Sequence, residues 1–434
     1  MLRTFVNAWK IPELRRKMLF VLFIILVYRF GAVIPVPYVS SDALSAIIMT
    51  NTEGSYFQYL NLLSGEAFSK ATLFALSISP YITSSIVMQL LTIAIPALER
   101  LQKSGEEGRK KITQITRYVT VGLGLITAYG YYMYLRNLDQ QYFNILTNDT
   151  VFAAIVIIAC YAAGSALIMW LAEKINDNGI GNGISMILFA NIVSTGFSVL
   201  GNILGELKSG WVGIVFAVVE IVLAIAIITF VVFMTNSERR LPVQYAKRVV
   251  GNKMYGGQSS TLPIKLNMSG VMPIIFAQSI ISMPSMIAMF VGTPKEGSFW
   301  AGFLGLFSTT SVFYIVLNLV LIIAFAYFYI SISFNPIEVS NNLKKNGGFI
   351  PGIRPGRPTS DYITRILNRI TLIGAIFLGI VAVFPMIINL CTNARLNMMA
   401  FGGSSLLIVV GVVLETAKEI EAQMAIRHYK GFLE

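Results

Sequence analysis

The chain has 434 residues, of which 55% are hydrophobic and only 12% are charged, and its formal net charge is +12. An average soluble domain has about 25% charged residues, so this composition excludes an ordinary water-soluble protein. The single histidine, His428, stands near the end of the chain, which excludes Ser–His catalysis among the apolar segments and a histidine-built metal site. Cys160 and Cys391 are isolated and provide neither a disulfide framework nor a C-x-x-C metal motif.

Apolar runs of roughly 20 residues, the length that a helix needs to cross a bilayer, recur along the whole chain. The sequence therefore predicts an all-α polytopic membrane protein. The first run follows a basic start but is too long for a typical signal peptide and is followed by no cleavage site, so we interpret it as an uncleaved span. We predict ten spans, near residues 18–37, 71–96, 114–135, 151–172, 183–205, 211–234, 266–292, 308–334, 366–390 and 398–414.

Basic residues predict the orientation of these spans. With the N-terminus in the cytoplasm, the inner segments hold 27 of the 33 lysines and arginines, and the five outer segments hold one each. The remaining residue, Arg29, lies near the outer end of the first span. Lysine and arginine concentrate in the cytoplasmic loops of membrane proteins, so this distribution supports ten spans with both termini inside.

A half-apolar segment, SYFQYLNLLSGEAFSK at residues 55–70, precedes the second span on the predicted outer side. It is too short to cross a bilayer. Two structures fit it, an interfacial helix and a re-entrant segment that dips into a cavity. Its continuation into an unusually polar span favours the re-entrant segment.

Polar residues, glycines and prolines concentrate in the second, fifth, seventh and tenth spans. The second carries Pro80 within a series of serines and threonines, and the seventh carries Pro273 and Pro284. Lipid supplies no hydrogen-bond partners, so such helices must face protein or water on at least one side. Small and polar residues also pack helices together, but matching patterns five spans apart favour two five-helix halves, residues 1–205 and 206–434, related by an inverted repeat.

Two inner loops, at residues 235–265 and 335–365, are longer than orientation requires and are rich in glycine, proline and basic residues. Attraction to anionic lipid accounts for the basic residues of the shorter loop before the third span. The longer loops have the composition of defined turns that present backbone groups and arginines to a partner. We interpret them as docking surfaces for a large cytosolic partner, and charge alone does not choose between ribosomal RNA and an acidic protein.

The remaining chemistry of the sequence excludes several classes of protein. No P-loop motif occurs, and the glycine-rich NDNGIGNGIS lacks the preceding strand of a dinucleotide site, so it is interpreted as a turn before a helix. Neither a Ser–His pair nor paired intramembrane aspartates support a protease, and we expect no enzyme activity, cofactor or metal. A secondary transporter of small solutes is the alternative function, although only Glu220 stands as a clear carboxylate within a span.

Several motifs resemble the SecY family of protein-translocation channels, in the family's order and nearly from end to end. They are SPYITSSIVMQLL, GRKKITQITRY, GIGNGIS, VQYAKR, NMSGVMPIIFA, FIPGIRPGRPT and FGGSSLLIVV. The resemblance implies a pseudo-symmetric ten-helix clamshell around an hourglass pore. It implies a plug near residues 56–70 and a lateral gate between the second and third helices and the seventh and eighth. The implied function is a passive channel for secretory polypeptides and for membrane-protein insertion, driven by a motor ATPase or the ribosome.

The same resemblance assigns residues to each part of such a channel. A ring of bulky aliphatic side chains can flex around a passing polypeptide while an unhydrated constriction resists ions. The implied pore ring is Ile78, Ile82, Leu188, Ile275 and Ile408, with leucine at a position that is commonly isoleucine. The implied plug residues are Tyr59, Leu60, Leu62, Leu63, Ser64, Gly65 and Phe68. The gate candidates, of which only the helix face is fixed by spacing, are Thr83, Gln89, Gln278 and Ser282.

The resemblance also implies the partners. The motifs VQYAKR and FIPGIRPGR resemble cytosolic docking loops for the ribosome and for the SecA motor ATPase. The expected contact residues are Arg239, Arg240, Lys247, Arg248 and Arg354. Small membrane subunits SecE and SecG, signal sequences and translocating polypeptides complete the implied partners, together with anionic lipids. The implied location is the bacterial cell membrane.

Overall fold

A computed structural model gives the fold and describes residues 2–51, 61, 64–142, 145–148, 150–206, 211–245, 248–250, 253–255, 259–291, 299–308, 311–391 and 403–430. Helices dominate this part of the chain. In the first half they are α1 (Leu2–Trp9), α2 (Pro12–Gly31), α3 (Ser41–Asn51), α4 (Ser79–Ala94), α5 (Pro96–Lys103), α6 (Glu106–Tyr142), α7 (Val151–Asn178) and α8 (Gly183–Glu206). In the second half they are α9 (Trp211–Asn236), α10 (Met272–Ile281), α11 (Met283–Val291), α12 (Phe299–Leu306), α13 (Val312–Ser333), α14 (Pro336–Lys345), α15 (Arg357–Cys391) and α16 (Gly403–Lys430).

At least one helix overlaps each of the ten predicted spans. By length and composition, four helices in the described part of the chain, α7, α9, α13 and α15, contain a stretch able to cross a membrane. The pair α4 and α5 would make a fifth, although the two helices meet at a bend of 100°. Proline at position 96 explains where the bend occurs, since it disfavours helical geometry in the residue before it, and Ile95 has φ −108° and ψ 112°.

The structure corrects the helix predicted for residues 71–96. Turns occupy residues 65–78, and helix α4 begins only at Ser79, with Pro80 in its first turn. Three non-glycine residues in this stretch, Glu66, Ala71 and Ser77, have positive φ angles. The turn passes so close to α7 that a Cβ atom on Gly164 would lie 2.1 Å from the Leu73 carbonyl oxygen. A hydropathy window does not detect this stretch, because the residues are apolar without being helical.

The seventh predicted span is also divided. Helix α10 ends at Ile281, helix α11 begins at Met283, and Ser282 stands between them. Pro284 lacks an amide hydrogen, which removes one backbone hydrogen bond at the junction. The break that the sequence suggested in this span is therefore present.

The two long inner loops join in one small sheet. Strand β1 (Glu238–Tyr245) pairs antiparallel with β4 (Ser259–Lys265) along its length and with β5 (Gly348–Phe349) at its end, through Gln244 opposite Phe349. A second hairpin joins β2 (Arg248–Val250) to β3 (Lys253–Tyr255). Buried Leu241, Ile264 and Ile350 face a cluster at the start of α15. The loops therefore form a folded surface that is continuous with the helices.

The largest buried cluster draws apolar residues from helices on both sides of the midpoint of the chain, including α2, α4, α8, α10, α13, α15 and α16. A second cluster lies within the first half, where Phe68 packs among Tyr131, Tyr161 and other residues of α6 and α7. Besides the cluster at the start of α15, another small cluster joins Ala8 and Leu14 to Ile180 and Ile420. The first cluster contains the side chains that bear on function.

Candidate functional site

Five aliphatic side chains meet in the largest buried cluster, although they come from distant parts of the chain. Ile78 precedes α4, Ile82 lies one turn along it, and Leu188, Ile275 and Ile408 come from α8, α10 and α16. Their exposed fractions are 1%, 6%, 1%, 6% and 2%, in chain order. The structure thus places all five residues expected to form the pore ring in one buried cluster, and the ring itself stays a prediction. Such a cluster offers no fixed hydrogen-bonding group, so it can exclude water without selecting particular side chains.

The segment Ser64–Lys70, which we name the plug root, is the end of the predicted plug and leads toward helix α4. Of the expected plug residues, Ser64, Gly65 and Phe68 are described, while Tyr59, Leu60, Leu62 and Leu63 lie outside the described residues. Phe68 is 1% exposed, and its ring centroid lies 4.8 Å from that of Tyr131. The Ser64 hydroxyl accepts a hydrogen bond from the Phe68 amide at 3.0 Å, which closes the turn.

Charged side chains hold the plug root to neighbouring helices. The Glu66 carboxylate accepts hydrogen bonds from Ser198 of α8 and from Lys70. Burial alone would raise the pKa of the Glu66 carboxyl, but the two hydrogen bonds and the charges of Lys70 and Arg29 outweigh burial and lower that pKa below its ordinary value. A cavity of about 340 Å³ beside these groups is also lined by Asp42.

Arg29 has a structural role that its position in the sequence did not show. Its guanidinium donates a hydrogen bond to the Ala190 carbonyl at 3.0 Å, which links α2 to α8. The same guanidinium lies against Gly65, where a Cβ atom would be 2.8 Å from Nη1. Gly65 has φ +65°, so both the backbone conformation and the space favour glycine there.

Three of the expected gate residues lie on α4 and α10, helices that pack against each other, and Ser282 follows α10 directly. Helix α4 packs against α10, and helix α6 packs against α11. We name this pair of contacts the gate seam. Gln278 and Ser282 are buried, with exposed fractions of 3% and 8%, whereas Thr83 and Gln89 are half-buried on α4. The Ser84 hydroxyl also hydrogen-bonds Thr120, which ties α4 to α6 within the first half. Helices α4 and α10, and helices α6 and α11, are therefore in contact along the gate seam.

A second contact across the gate seam was missed in the sequence. The Phe290 ring of α11 lies on Gly130 of α6, where a Cβ atom would be 2.7 Å from the ring. Its centroid is also 6.2 Å from that of Tyr129. A glycine within the run AYGYYMY was the only signal, and an isolated helical glycine does not reveal which distant residue fills the space beside it.

The expected docking arginines lie on or beside the folded inner loops. Arg239 and Arg240 are exposed on β1, and Arg240 pairs with Glu238 at 2.7 Å. Arg248 opens β2, and Lys247 lies outside the described residues. Because β5 pairs with the end of β1, the segment that carries Arg354 belongs to the same surface.

Arg354 lies on an accessible part of that surface. It is exposed, and its carbonyl accepts a hydrogen bond from Thr359, which fixes the local backbone. A cavity of about 480 Å³ beside it is lined by Arg365, Asp361 and Tyr362, among others. The surface therefore presents two arginines within a preformed, partly concave site.

Residues 72–417 match the model of the SecY family. The chain belongs to the SecY family. It is 44% identical to "Protein translocase subunit SecY" of Streptomyces scabiei and 42% identical to that of Mycobacterium tuberculosis, with all of each chain covered.

Solved structures share the fold at low identity. "The structure of a protein conducting channel" has a TM-score of 0.68 at 18% identity and covers 96% of both chains. A second structure is described as showing that the plug domain of the SecY protein stabilises the closed state of the translocation channel. It has a TM-score of 0.67 at 19% identity and covers 96% of both chains. "Sec61 in the Canine ribosome-channel complex" has a TM-score of 0.64 at 18% identity and covers 96% of both chains. The helical fold of this SecY-family chain is therefore that of the channel proteins.

Proposed function

We propose that this SecY-family chain is the central channel subunit of a Sec protein translocase, a passive pore for secretory polypeptides. The single observation that carries the proposal is the burial of Ile78, Ile82, Leu188, Ile275 and Ile408 in one apolar cluster. A fixed polar site would select a few substrates, whereas aliphatic side chains yield to any sequence. The chain acts as a channel rather than as a catalyst.

The proposal includes a finer architecture. Ten spans form two five-helix halves, residues 1–205 and 206–434, with both termini in the cytoplasm of a bacterial cell. The gate seam opens toward lipid to admit signal sequences and membrane segments. The packing of α4 on α10 and of α6 on α11 supports this assignment, because in each pair one helix comes from each half.

The proposal also includes the partners. SecA and the ribosome dock on the surface formed by β1, β4, β5 and the segment of Arg354, and SecE and SecG bind within the membrane. The exposed arginines support the docking assignment, since guanidinium groups bind both phosphates and carboxylates. One solved relative is titled as Sec61 in a ribosome-channel complex, and another as an Ssh1 complex bound to the 80S ribosome.

Disulfide crosslinking tests the pore. Ile82→Cys is placed in a chain that carries Cys160→Ser and Cys391→Ser, which removes one half-buried and one exposed thiol. A secretory polypeptide with one cysteine is stalled during translocation. We expect a crosslink that requires both the stalled chain and the motor or ribosome.

A matched position gives the control. Ile93→Cys lies on the same helix as Ile82 but is 50% exposed on its outer surface, so it is expected to give no crosslink. Crosslinks at other inward positions but not at Ile82 would show that the constriction is elsewhere. No crosslink at any inward position would refute the channel, and gradient-driven uptake of a small solute by the purified chain would favour a secondary transporter.

A further inference from the structure

One aromatic side chain closes the outer part of the gate seam. Gly130 is buried, and a Cβ atom there would lie 2.7 Å from Cζ of Phe290 and 2.9 Å from its Cε2. Real Cβ atoms do not approach carbon atoms so closely, so the ring occupies the space that a side chain on α6 would need. Gly130 thus leaves room on α6 for the ring, as small residues do at helix contacts within membranes.

The contact lies beside the surface that faces lipid. On the same helix, Ile126 and Tyr129 are 57% and 47% exposed. Gly122, two turns earlier, has no atom within 4 Å of its Cβ position. An apolar segment that enters from the lipid side therefore meets Phe290 at the edge of the seam rather than deep in the core.

The ring belongs to a helix that is separated from the rest of the seam. Helix α11 follows the break at Ser282, while the inner part of the seam is formed by α10 on α4. Phe290 is thus an outer contact distinct from the inner one at Gln278. Opening at this level requires the ring to leave Gly130.

We infer that the Phe290 ring on Gly130 is the contact that an entering apolar segment displaces at the outer gate seam, and that it sets how apolar that segment must be. The inference rests on the proposed function. Loss of the contact exposes both the ring and the backbone near Gly130, and the entering segment compensates by covering them with its own apolar side chains. A strongly apolar segment does so fully, whereas a marginal one does not.

Translocation of two precursors tests the inference. They differ only in the apolar core of the signal segment, which is all leucine in one and a leucine–alanine mixture in the other. Membrane vesicles carry each variant as the sole copy of this subunit. With Phe290→Ala, we expect translocation of the mixed-core precursor to rise about fivefold, while that of the leucine-core precursor stays unchanged.

A second variant acts from the opposite side of the contact. Gly130→Ala forces the ring from its place and is expected to change translocation in the same direction. The double variant is expected to do no more than Phe290→Ala alone, because both changes remove one contact. Two matched controls leave the contact intact: Gly122→Ala lies in open space on the same helix, and Phe152→Ala removes a ring that is 67% exposed on α7.

The possible outcomes distinguish failure of this inference from failure of the proposed channel function. A rise for the mixed-core precursor with both seam variants, and with neither control, supports the inference. Normal translocation of the leucine-core precursor with no rise for the mixed core would overturn the role of Phe290 and leave the channel intact. Failure of the unmodified chain to translocate either precursor would overturn both.

Discussion

The hydroxyl of Tyr131 donates a hydrogen bond to the carbonyl oxygen of Phe68 at 2.7 Å. Both residues are almost fully buried, at 0% and 1% exposed, so no water competes for this bond. Tyr131 belongs to α6, and Phe68 belongs to the plug root. One side chain thus fixes the end of the plug to a helix that also forms the gate seam.

Tyr131→Phe is expected to loosen the plug root without a large loss of packing. The ring stays, but the Phe68 carbonyl loses its donor, which costs about 1 to 3 kcal/mol when the group is buried. We expect a small rise in the resting ion conductance of the reconstituted channel in planar bilayers. Tyr118→Phe on the same helix is the control, because Tyr118 is 79% exposed, and an equal effect of the two variants would contradict the assignment.

Ile82→Asn and Ile408→Asn are expected to hydrate the constriction. Each places an amide in a cluster where the native side chain is 6% or 2% exposed, and a buried amide without partners recruits water. We expect resting conductance to rise on the order of tenfold. Ile408→Leu keeps the surface apolar and should leave conductance near its native level, while unchanged conductance in both asparagine variants would exclude these residues from the constriction.

Acidification of the outer side is expected to weaken the hold on the plug root. The lowered pKa of Glu66 means that its carboxylate stabilises the folded state at pH values above the ordinary carboxyl pKa of 4.5. This contribution is lost as the pH falls below that value and through the lowered pKa. Resting conductance should therefore rise as the outer solution is acidified into this range.

Glu66→Gln supplies the control for the pH dependence. It cannot ionise, so we expect its conductance to be raised already at neutral pH and to change less on acidification. Glu106→Gln changes an exposed carboxylate that pairs with Lys110 at the start of α6 and should retain the native profile. A Glu66→Gln channel with the native pH profile would show that another group senses the acid.

Arg354→Glu is expected to abolish export driven by the motor while membrane insertion of the channel itself persists. The side chain is exposed, so reversal of its charge should not unfold the loop, but it reverses attraction to an acidic or phosphate-bearing partner. Export by reconstituted vesicles measures the effect. Lys345→Glu makes the same charge change at the exposed end of α14, and equal losses in the two variants would indicate a general loss of positive charge instead.

The helices and the family were predictable from the sequence because their signals are local or occur as ordered motifs. Apolar runs marked every helix of the ten predicted spans, and the family was confirmed. The helix predicted for residues 71–78 was wrong. Its turns depend on the close approach of Leu73 to Gly164, a contact between distant residues that leaves no periodic pattern. The ten-span topology and the roles of the site residues stay predictions.

Contacts between distant segments account for most of what the sequence did not reveal. The pairing of Gln244 with Phe349 joins two loops that were treated as separate surfaces. The sequence placed Arg29 only near the end of the first span, yet its side chain links α2 to the Ala190 carbonyl. Each contact depends on tertiary packing, which neither hydropathy nor charge counting describes.

Helix α6 runs without interruption for 37 residues, from Glu106 to Tyr142. At 1.5 Å per residue, it is a rod roughly 55 Å long. Its inner end is exposed beside α5, and its outer part holds both the plug root and the Phe290 contact. A rod pivoted near one end magnifies rotation into displacement, so a tilt of about 5° at the inner end moves the outer end by roughly 5 Å. Gly130 lies about 24 residues along this rod, so the same tilt would shift it by roughly 3 Å relative to the Phe290 ring.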